Sequence, residues 1–414
     1  MSPPFPPSSG FLQAIRQSSK ELRIASGISI TPDHIQRLLL SPTFTTSFKR
    51  VSKHHGLTLP LKFSSHLDEL NFFSVLSLLN FGSGYRVPLH TASGRGAWDS
   101  VRALTFSLYL TSTTGDGDLL SSKGLQTIGV AKVAELLGVS LHVEKPHDKL
   151  PGVVVGELGG PLYEFVRLVV STLNKTGEML ENLGYVNLGA FIAEALREAG
   201  TVQGRSDDAA IEVILERIVR AFPGFRDMAE VNGQNIYCFK KALFLIHAIT
   251  IRFGSFRPPP FPVPNTNNIP VFSDNVLPSL LIHLGIIDLP TTGTLSNLLV
   301  FPDAGSEEKL KTLLNLPPPL DVKPADTAQK KVPEEGPVLT ADQSYILRAA
   351  AIDACELIIE TAQSLDPAFL NASEVEWLPK ITLPDLDMWI WAVAKDRSDY
   401  RALERFVAKD TVYF

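Results

Sequence analysis

The residues with the clearest capacity for chemistry are a lysine and two aspartates set among apolar side chains. Lys240 stands in Phe239-Lys240-Lys241-Ala242-Leu243, Asp274 in Val271-Phe272-Ser273-Asp274-Asn275-Val276-Leu277-Pro278, and Asp387 in Asp385-Leu386-Asp387-Met388-Trp389-Ile390-Trp391. An ammonium and a carboxylate in one dry hollow favour each other's charged form, and the carboxylate can take a proton from water. Each group also has an ordinary structural explanation. An aspartate opening an apolar helical run is a good N-cap, worth about 1 kcal/mol, and a lysine at a helix start commonly carries its charge to solvent along an apolar stem.

The elements that must position these groups are mostly helical. Phe239, Ala242, Leu243, Ile246 and Ile249 follow the spacing of a helix with one buried face, which puts Lys240 close to a surface that avoids water. The stretch from Arg257 to Pro264 cannot continue that helix, because proline lacks an amide donor and disfavours the helical region for the residue before it. The chain therefore crosses in extended form to Asp274, which precedes a second apolar run from Val276 to Ile287.

Upstream, residues 11 to 40 read as two helices broken near Gly27, with Thr31-Pro32-Asp33 as a capped start. Asn71 to Asn80 is too continuously apolar for a surface helix and belongs in the core. Residues 81 to 90 read as a loop, and Gly94-Arg95-Gly96-Ala97-Trp98 leads into a helix through Leu110. Helical patterns continue at Tyr163 to Leu183, at Leu188 to Ala199 with Gly200 as the stop, at Ala341 to Gln363, and at Pro384 to Ala394. Strand-like alternation is brief, near Val139 to Val143 and Val153 to Val155. The expected fold class is mostly α: a single large helical domain over residues 11–414, with minor short strands, a disordered Pro/Ser-rich stretch at 1–10 and a Pro/charged insertion at 317–337.

Composition narrows the function. With 414 residues, 44% hydrophobic, the chain can bury a large core; a net charge of −6 shows no basic excess, so direct nucleic-acid binding is not expected. Cys238 and Cys355 match neither a disulfide framework nor a metal spacing, which fits a reducing, cytoplasmic setting, and no cofactor or metal is expected. The N-terminus lacks the pattern of a secretory signal, and no run of about 20 apolar residues predicts a membrane span. The Gly82-Ser83-Gly84 and Gly94-Arg95-Gly96 clusters follow no β-branched strand at nucleotide-loop spacing. Thr113-Thr114-Gly115-Asp116-Gly117-Asp118 lacks the closing glutamate of a calcium loop and reads as a surface turn.

Several stretches, in order along the chain, together resemble the queuosine salvage proteins, which hydrolyse the N-glycosidic bond of queuosine 5′-phosphate and release queuine. These are Leu79-Asn80-Phe81; Leu173-Asn174-Lys175-Thr176-Gly177-Glu178; Phe222-Pro223-Gly224-Phe225-Arg226-Asp227; Phe239-Lys240-Lys241-Ala242; Phe272-Ser273-Asp274 with Leu277-Pro278 and His283-Leu284-Gly285; Arg348; and Leu386-Asp387-Met388-Trp389-Ile390-Trp391. The resemblance implies a helical fold similar to helix-rich DNA glycosylases, and a lysine and an aspartate needed for activity, here Lys240 and Asp274, 34 positions apart. It further implies that Asp387 binds the base, with Phe81, Trp98, Trp389, Phe272, Phe239 and Arg348 as further substrate-binding candidates. For each of the aromatics, plain core packing is the alternative. The partner implied is a small molecule, a modified nucleoside 5′-monophosphate.

Three departures from the family's pattern fall around the implied base pocket rather than on Asp274 or Lys240. Gly82-Ser83-Gly84-Tyr85 stands where an aromatic pair is common, Ser279 replaces a glutamine, and Ile346 replaces an acid. A catalytically silent relative that binds a nucleobase or a protein is the competing expectation. A helical repair glycosylase acting on DNA is disfavoured by the acidic charge balance.

Overall fold

A computed structural model describes residues 3–52, 57, 59–112, 117–147, 149–316, 334–372 and 375–414. The architecture is mostly α, and the strands among the described residues form two antiparallel hairpins, His142–Pro146 with Val154–Leu158 and Met228–Val231 with Gln234–Tyr237. Most of the insertion expected at 317–337 and of the turn expected at 113–118 lies outside the described residues.

The helix Ala341–Gln363 is the axis of the fold. Thr340 and Gln343 close a reciprocal capping box at its start, which satisfies two otherwise orphaned amides, and every side chain from Ser344 to Cys355 is buried. A helix apolar all round must be surrounded. Phe11–Ala25, Pro32–Leu39, Val276–His283 and Leu383–Asp396 pack against it. A second group is built on His66–Leu78, whose residues from Glu69 to Leu78 are all buried. It packs against Leu188–Val202 and Lys240–Phe253. Asn71 serves both sides of that crossing, accepting from Gly189 N–H at 3.0 Å and donating to the Leu120 carbonyl at 3.1 Å. The buried apolar side chains form one continuous cluster from Phe11 to Phe414.

Three local expectations are corrected. Residues 3–10 are held against the body rather than free of it: Tyr237 donates to the Pro4 carbonyl at 2.8 Å, and the Phe5 ring lies under the guanidinium groups of Arg220 and Arg226. Aromatic and cation–π contact supplies the anchoring that Pro/Ser-rich composition does not advertise. Residues 81–90 are not all loop, since a short turn at Ser83–Tyr85 leads into the helix Arg86–Ser93. Pro88 sits in that helix's first turn, where its missing amide costs nothing. Gly200 does not stop its helix, which runs to Val202; a side chain there would press within 3.0 Å of Pro262, so the glycine permits a close crossing.

Candidate active site

The site begins at a hairpin. Asn232 and Gly233 both adopt positive φ, 51° and 76°, turning Met228–Val231 back into Gln234–Tyr237. The hairpin returns Cys238 and Phe239 to its own base, where both amides donate to the Asp227 carbonyl at 3.0 and 3.2 Å. Phe239 takes a left-handed conformation, φ 47°, uncommon for a bulky residue, and the helix Lys240–Phe253 starts from it.

Asp227 holds this corner to the segment carrying Asp274. Its carboxylate accepts from Arg348 Nη1 at 2.9 Å and Nη2 at 2.5 Å, from Tyr345 Oη at 3.1 Å and from Lys240 N–H at 3.2 Å. Arg348 Nε donates to the Ser273 carbonyl at 2.9 Å, and Ser273 Oγ returns a bond to the Arg348 carbonyl at 3.0 Å. Arg348 and Asp227 are wholly buried. Burial opposes the Arg348 charge, but Asp227 outweighs it and the guanidinium is held protonated, its pKa raised. Arg348 is therefore a structural clamp away from the cavity, not the substrate contact expected from sequence.

The two ends of the clamp open on one cavity of ≈ 520 Å³ whose lining includes both Lys240 and Asp274. Lys240 Nζ donates to the Asn80 carbonyl at 2.7 Å and to Asn80 Oδ1 at 3.1 Å. Burial lowers the Lys240 pKa to about 8, with Asp274 the largest influence pulling the other way. It remains mainly an ammonium near pH 7. Asp274 is half-buried, and its Oδ1 accepts from Val276 N–H at 2.6 Å at the start of the helix Val276–His283. Among the described residues its other oxygen accepts no hydrogen bond. Asn275, not Asp274, is the N-cap of that helix, and its side chain caps no amide; one Asp274 oxygen instead closes a local turn onto Val276 N–H, and the other is unclaimed in a group that lines the cavity.

Lys241 goes elsewhere. Its Nζ donates to the Leu78 carbonyl at 2.7 Å inside a cage of Phe81, Phe225 and Tyr413, and burial, then Lys240, hold its pKa well below the usual lysine range.

Of the remaining candidates, Phe81 and Trp98 line the cavity. The other tryptophan in the wall is Trp391, not Trp389. Residues two apart on a helix face opposite ways; Trp389 is fully buried against Phe44 and donates Nε1–H to Ser47 Oγ at 2.8 Å. Trp391 meets Trp98 edge to face at 6.1 Å, and Lys395 lies 4.1 Å over its ring. Phe239 packs on Phe11 and Tyr237 in the core. Phe272 and Asp387 are buried behind the wall rather than on it: Asp387 Oδ2 accepts from Phe272 N–H at 2.7 Å, and Phe272 meets Phe244 edge to face. Burial raises the Asp387 pKa to about 7, the Phe272 amide opposing it and Asp274 adding to it.

Sequence reasoning left several lining residues unassigned, among them Asn80, Arg86, Trp391, Arg401 and Arg405. Spacing could have found Trp391, which follows Asp387 by one helical turn. Ser279 and Ile346 are buried away from the cavity, Ser279 Oγ accepting from Phe406 N–H at 3.3 Å, whereas Ser83 of the departing glycine turn lines it. That turn requires its glycines. Gly82 has φ 109° and a Cβ there would lie 2.6 Å from the Phe165 ring, while one at Gly84 would lie 2.1 Å from the Ala408 carbonyl. Among the described residues no group of His, Cys, Asp and Glu could hold a metal ion, and no helix is long and apolar enough to cross a membrane. Both cysteines are buried free thiols.

The sequence profile of the queuosine salvage protein family matches residues 169–299. Over that stretch, about a third of its length, the chain is similar to the queuosine salvage proteins. A queuosine 5′-phosphate N-glycosylase/hydrolase of Sphaerobacter thermophilus is 28% identical over 142 residues, which cover 32% of this chain and 43% of that protein. The alignment thus spans less than half of the curated relative. Both Lys240 and Asp274 fall within the profile match, while Asn80, Trp98, Trp391 and the lining arginines fall outside it.

Proposed function

We propose that this chain belongs to the queuosine salvage proteins and hydrolyses the N-glycosidic bond of a modified nucleoside 5′-monophosphate, with queuosine 5′-phosphate the leading substrate. The observation that carries the reading is the presence of Lys240 and Asp274 in the lining of a single cavity, inside the stretch that matches the family. Its ≈ 520 Å³ lies within the range of small-molecule sites.

In this reading the bond from C1′ to the base nitrogen breaks, and its electron pair leaves with the base. Positive charge develops on the ribose, an oxocarbenium-like state that the Asp274 carboxylate stabilises. The same carboxylate takes a proton from the water that bonds to C1′, and the base gains a proton to complete the balance. Positioned proton transfer of this kind contributes roughly 10²- to 10⁴-fold. Lys240, tethered on Asn80, sets the charge balance beside Asp274. Trp98, Trp391 and Phe81 offer aromatic faces for the base. Asp387 acts through Phe272 as a positioning residue, fixing the backbone two residues before Asp274.

Incubating the purified protein with queuosine 5′-phosphate and following free queuine by chromatography tests the proposal. Stoichiometric appearance of queuine and ribose 5-phosphate is the expected result. Calorimetric binding of queuine with no turnover by a folded protein would instead favour the silent relative.

A further inference from the structure

The helix that begins beside Asp274 carries a stripe of polar side chains that neither the mechanism above nor the comparisons use. Asn275, Ser279 and His283 stand four residues apart in an otherwise apolar run, so they share one face of Val276–His283, and all three are buried. Buried polar groups need partners, and these three find theirs on the backbone of a single short segment. Asn275 Nδ2 donates to the Phe406 carbonyl at 2.8 Å, Ser279 Oγ accepts from Phe406 N–H at 3.3 Å, and His283 Nε2 donates to the Glu404 carbonyl at 3.0 Å.

Beyond Ser398–Arg401 the chain forms no further helix or strand element, so other parts of the molecule have to hold it in place. Val407 N–H donates to the Pro337 carbonyl and its own carbonyl accepts from Leu339 N–H, both at 2.8 Å. At the far end Gly82 N–H donates to the Phe414 carbonyl at 3.1 Å, and the Phe414 ring lies 4.4 Å from the Arg348 guanidinium. Between these ends Ala402, Leu403, Arg405 and Phe414 line the cavity. The segment therefore joins the carriers of the two reacting groups. One end is bonded to Asn275, next to Asp274, and the other to Gly82, two residues after the Asn80 whose oxygens hold Lys240 Nζ. Asp274 itself sits between two ties, since Ser273 exchanges bonds with Arg348 on one side and Asn275 bonds Phe406 on the other. A backbone held on one side alone can pivot; held on both, it fixes where its side chain points.

We propose that Asn275 and Ser279 are positioning residues: by holding the Phe406 backbone they make residues 402–414 a brace between the Asp274 corner and the Asn80 turn, and so set the separation of the carboxylate from Lys240. The consequence for catalysis rests on the nucleotide reading above, whereas the brace does not. Ser279 then acts on the site without reaching it, which assigns its departure from the family pattern to the brace rather than to the base pocket. Removing either side chain leaves a buried Phe406 carbonyl or amide unpaired, and the segment shifts to satisfy it.

Lys240 reports the brace without turnover. Of the charges that act on its ammonium, Asp274, Arg348, Asp227 and Asp387, Asp274 has the largest influence and holds the pKa up against burial. Titration of Lys240 by NMR of isotope-labelled lysine in the full chain, assigned with Lys240→Arg, compares wild type with Asp274→Asn, Asn275→Ala and Ser279→Ala. The Lys240 pKa should fall in Asp274→Asn and fall in the same direction in both alanine variants. With queuosine 5′-phosphate, each alanine substitution should slow single-turnover base release roughly 10-fold or more in an otherwise wild-type chain, and less than about 2-fold on top of Asp274→Asn, because the group it positions is gone. A Lys240 pKa unchanged or raised in both alanine variants or in Asp274→Asn, an equal loss of rate in the two backgrounds, or unfolding of both alanine variants would overturn the brace. A lowered Lys240 pKa in a chain that releases no base from any nucleotide would sink the hydrolase reading alone.

Discussion

Asp387 is held behind the cavity wall rather than on it, bonded to the segment that carries Asp274. Its carboxyl is buried, is raised from an ordinary 3.8 to about 7, and receives one amide bond, from Phe272. The folded protein therefore holds this proton more tightly than the unfolded chain does. The resulting stability is complete below about pH 4 and is lost as pH rises through about 7. Replacing Asp387 by Asn keeps an oxygen for the Phe272 amide and removes the titration. Wild type should lose on the order of 2–4 kcal/mol relative to Asp387→Asn between about pH 4.5 and 7.5, measured by urea unfolding at a series of pH values. A wild-type-to-variant difference that does not change with pH would contradict this assignment of the buried proton.

At the scale of elements, the site depends on the clamp between the hairpin ending at Tyr237 and the segment ending at Asp274. Removing one partner of a buried, multiply bonded ion pair leaves the other charge unpaired, so Asp227→Ala should cost about 3–5 kcal/mol in chemical unfolding. A loss below about 1 kcal/mol would mean that Arg348 finds other partners and that the clamp is not what joins the two segments. This level was unevenly legible in the sequence. The helix from Lys240 was readable because Phe239, Ala242, Leu243, Ile246 and Ile249 share one face, and the helix beginning after Thr31 carried its cap in plain view. The hairpin at 228–237 was not recognised, although Asn232-Gly233 is a strong turn signal, because its four-residue strands are too short for alternation to stand out. The choice of Trp389 over Trp391 failed for a different reason. Both lie on one helix, and composition alone does not say which face the cavity occupies.

At the scale of the whole molecule, the cavity is a long-range construction. Residues 80–99, Lys240, residues 274–276 and residues 391–405 meet only through folding, and the arginine cluster sits in a chain whose net charge is −6. An average over 414 residues conceals the cationic side chains Arg86, Lys240, Lys395, Arg401 and Arg405 gathered in one lining, which is why that wall could not be anticipated from composition. Asp274 and Lys240 were found because the resemblance named them. Their meeting across 34 positions required the crossing from Arg257 to Pro264 and the Asp227–Arg348 clamp together. The most direct measurement of the account is single-turnover release of queuine from queuosine 5′-phosphate by Asp274→Asn beside wild type, with thermal unfolding of both. Because asparagine can still accept from the Val276 amide, the variant should stay within about 1 kcal/mol of wild type in stability while its release rate falls roughly 10²- to 10⁴-fold. A variant that unfolds readily yet, where folded, releases queuine at the wild-type rate would make Asp274 a turn-forming residue and nothing more.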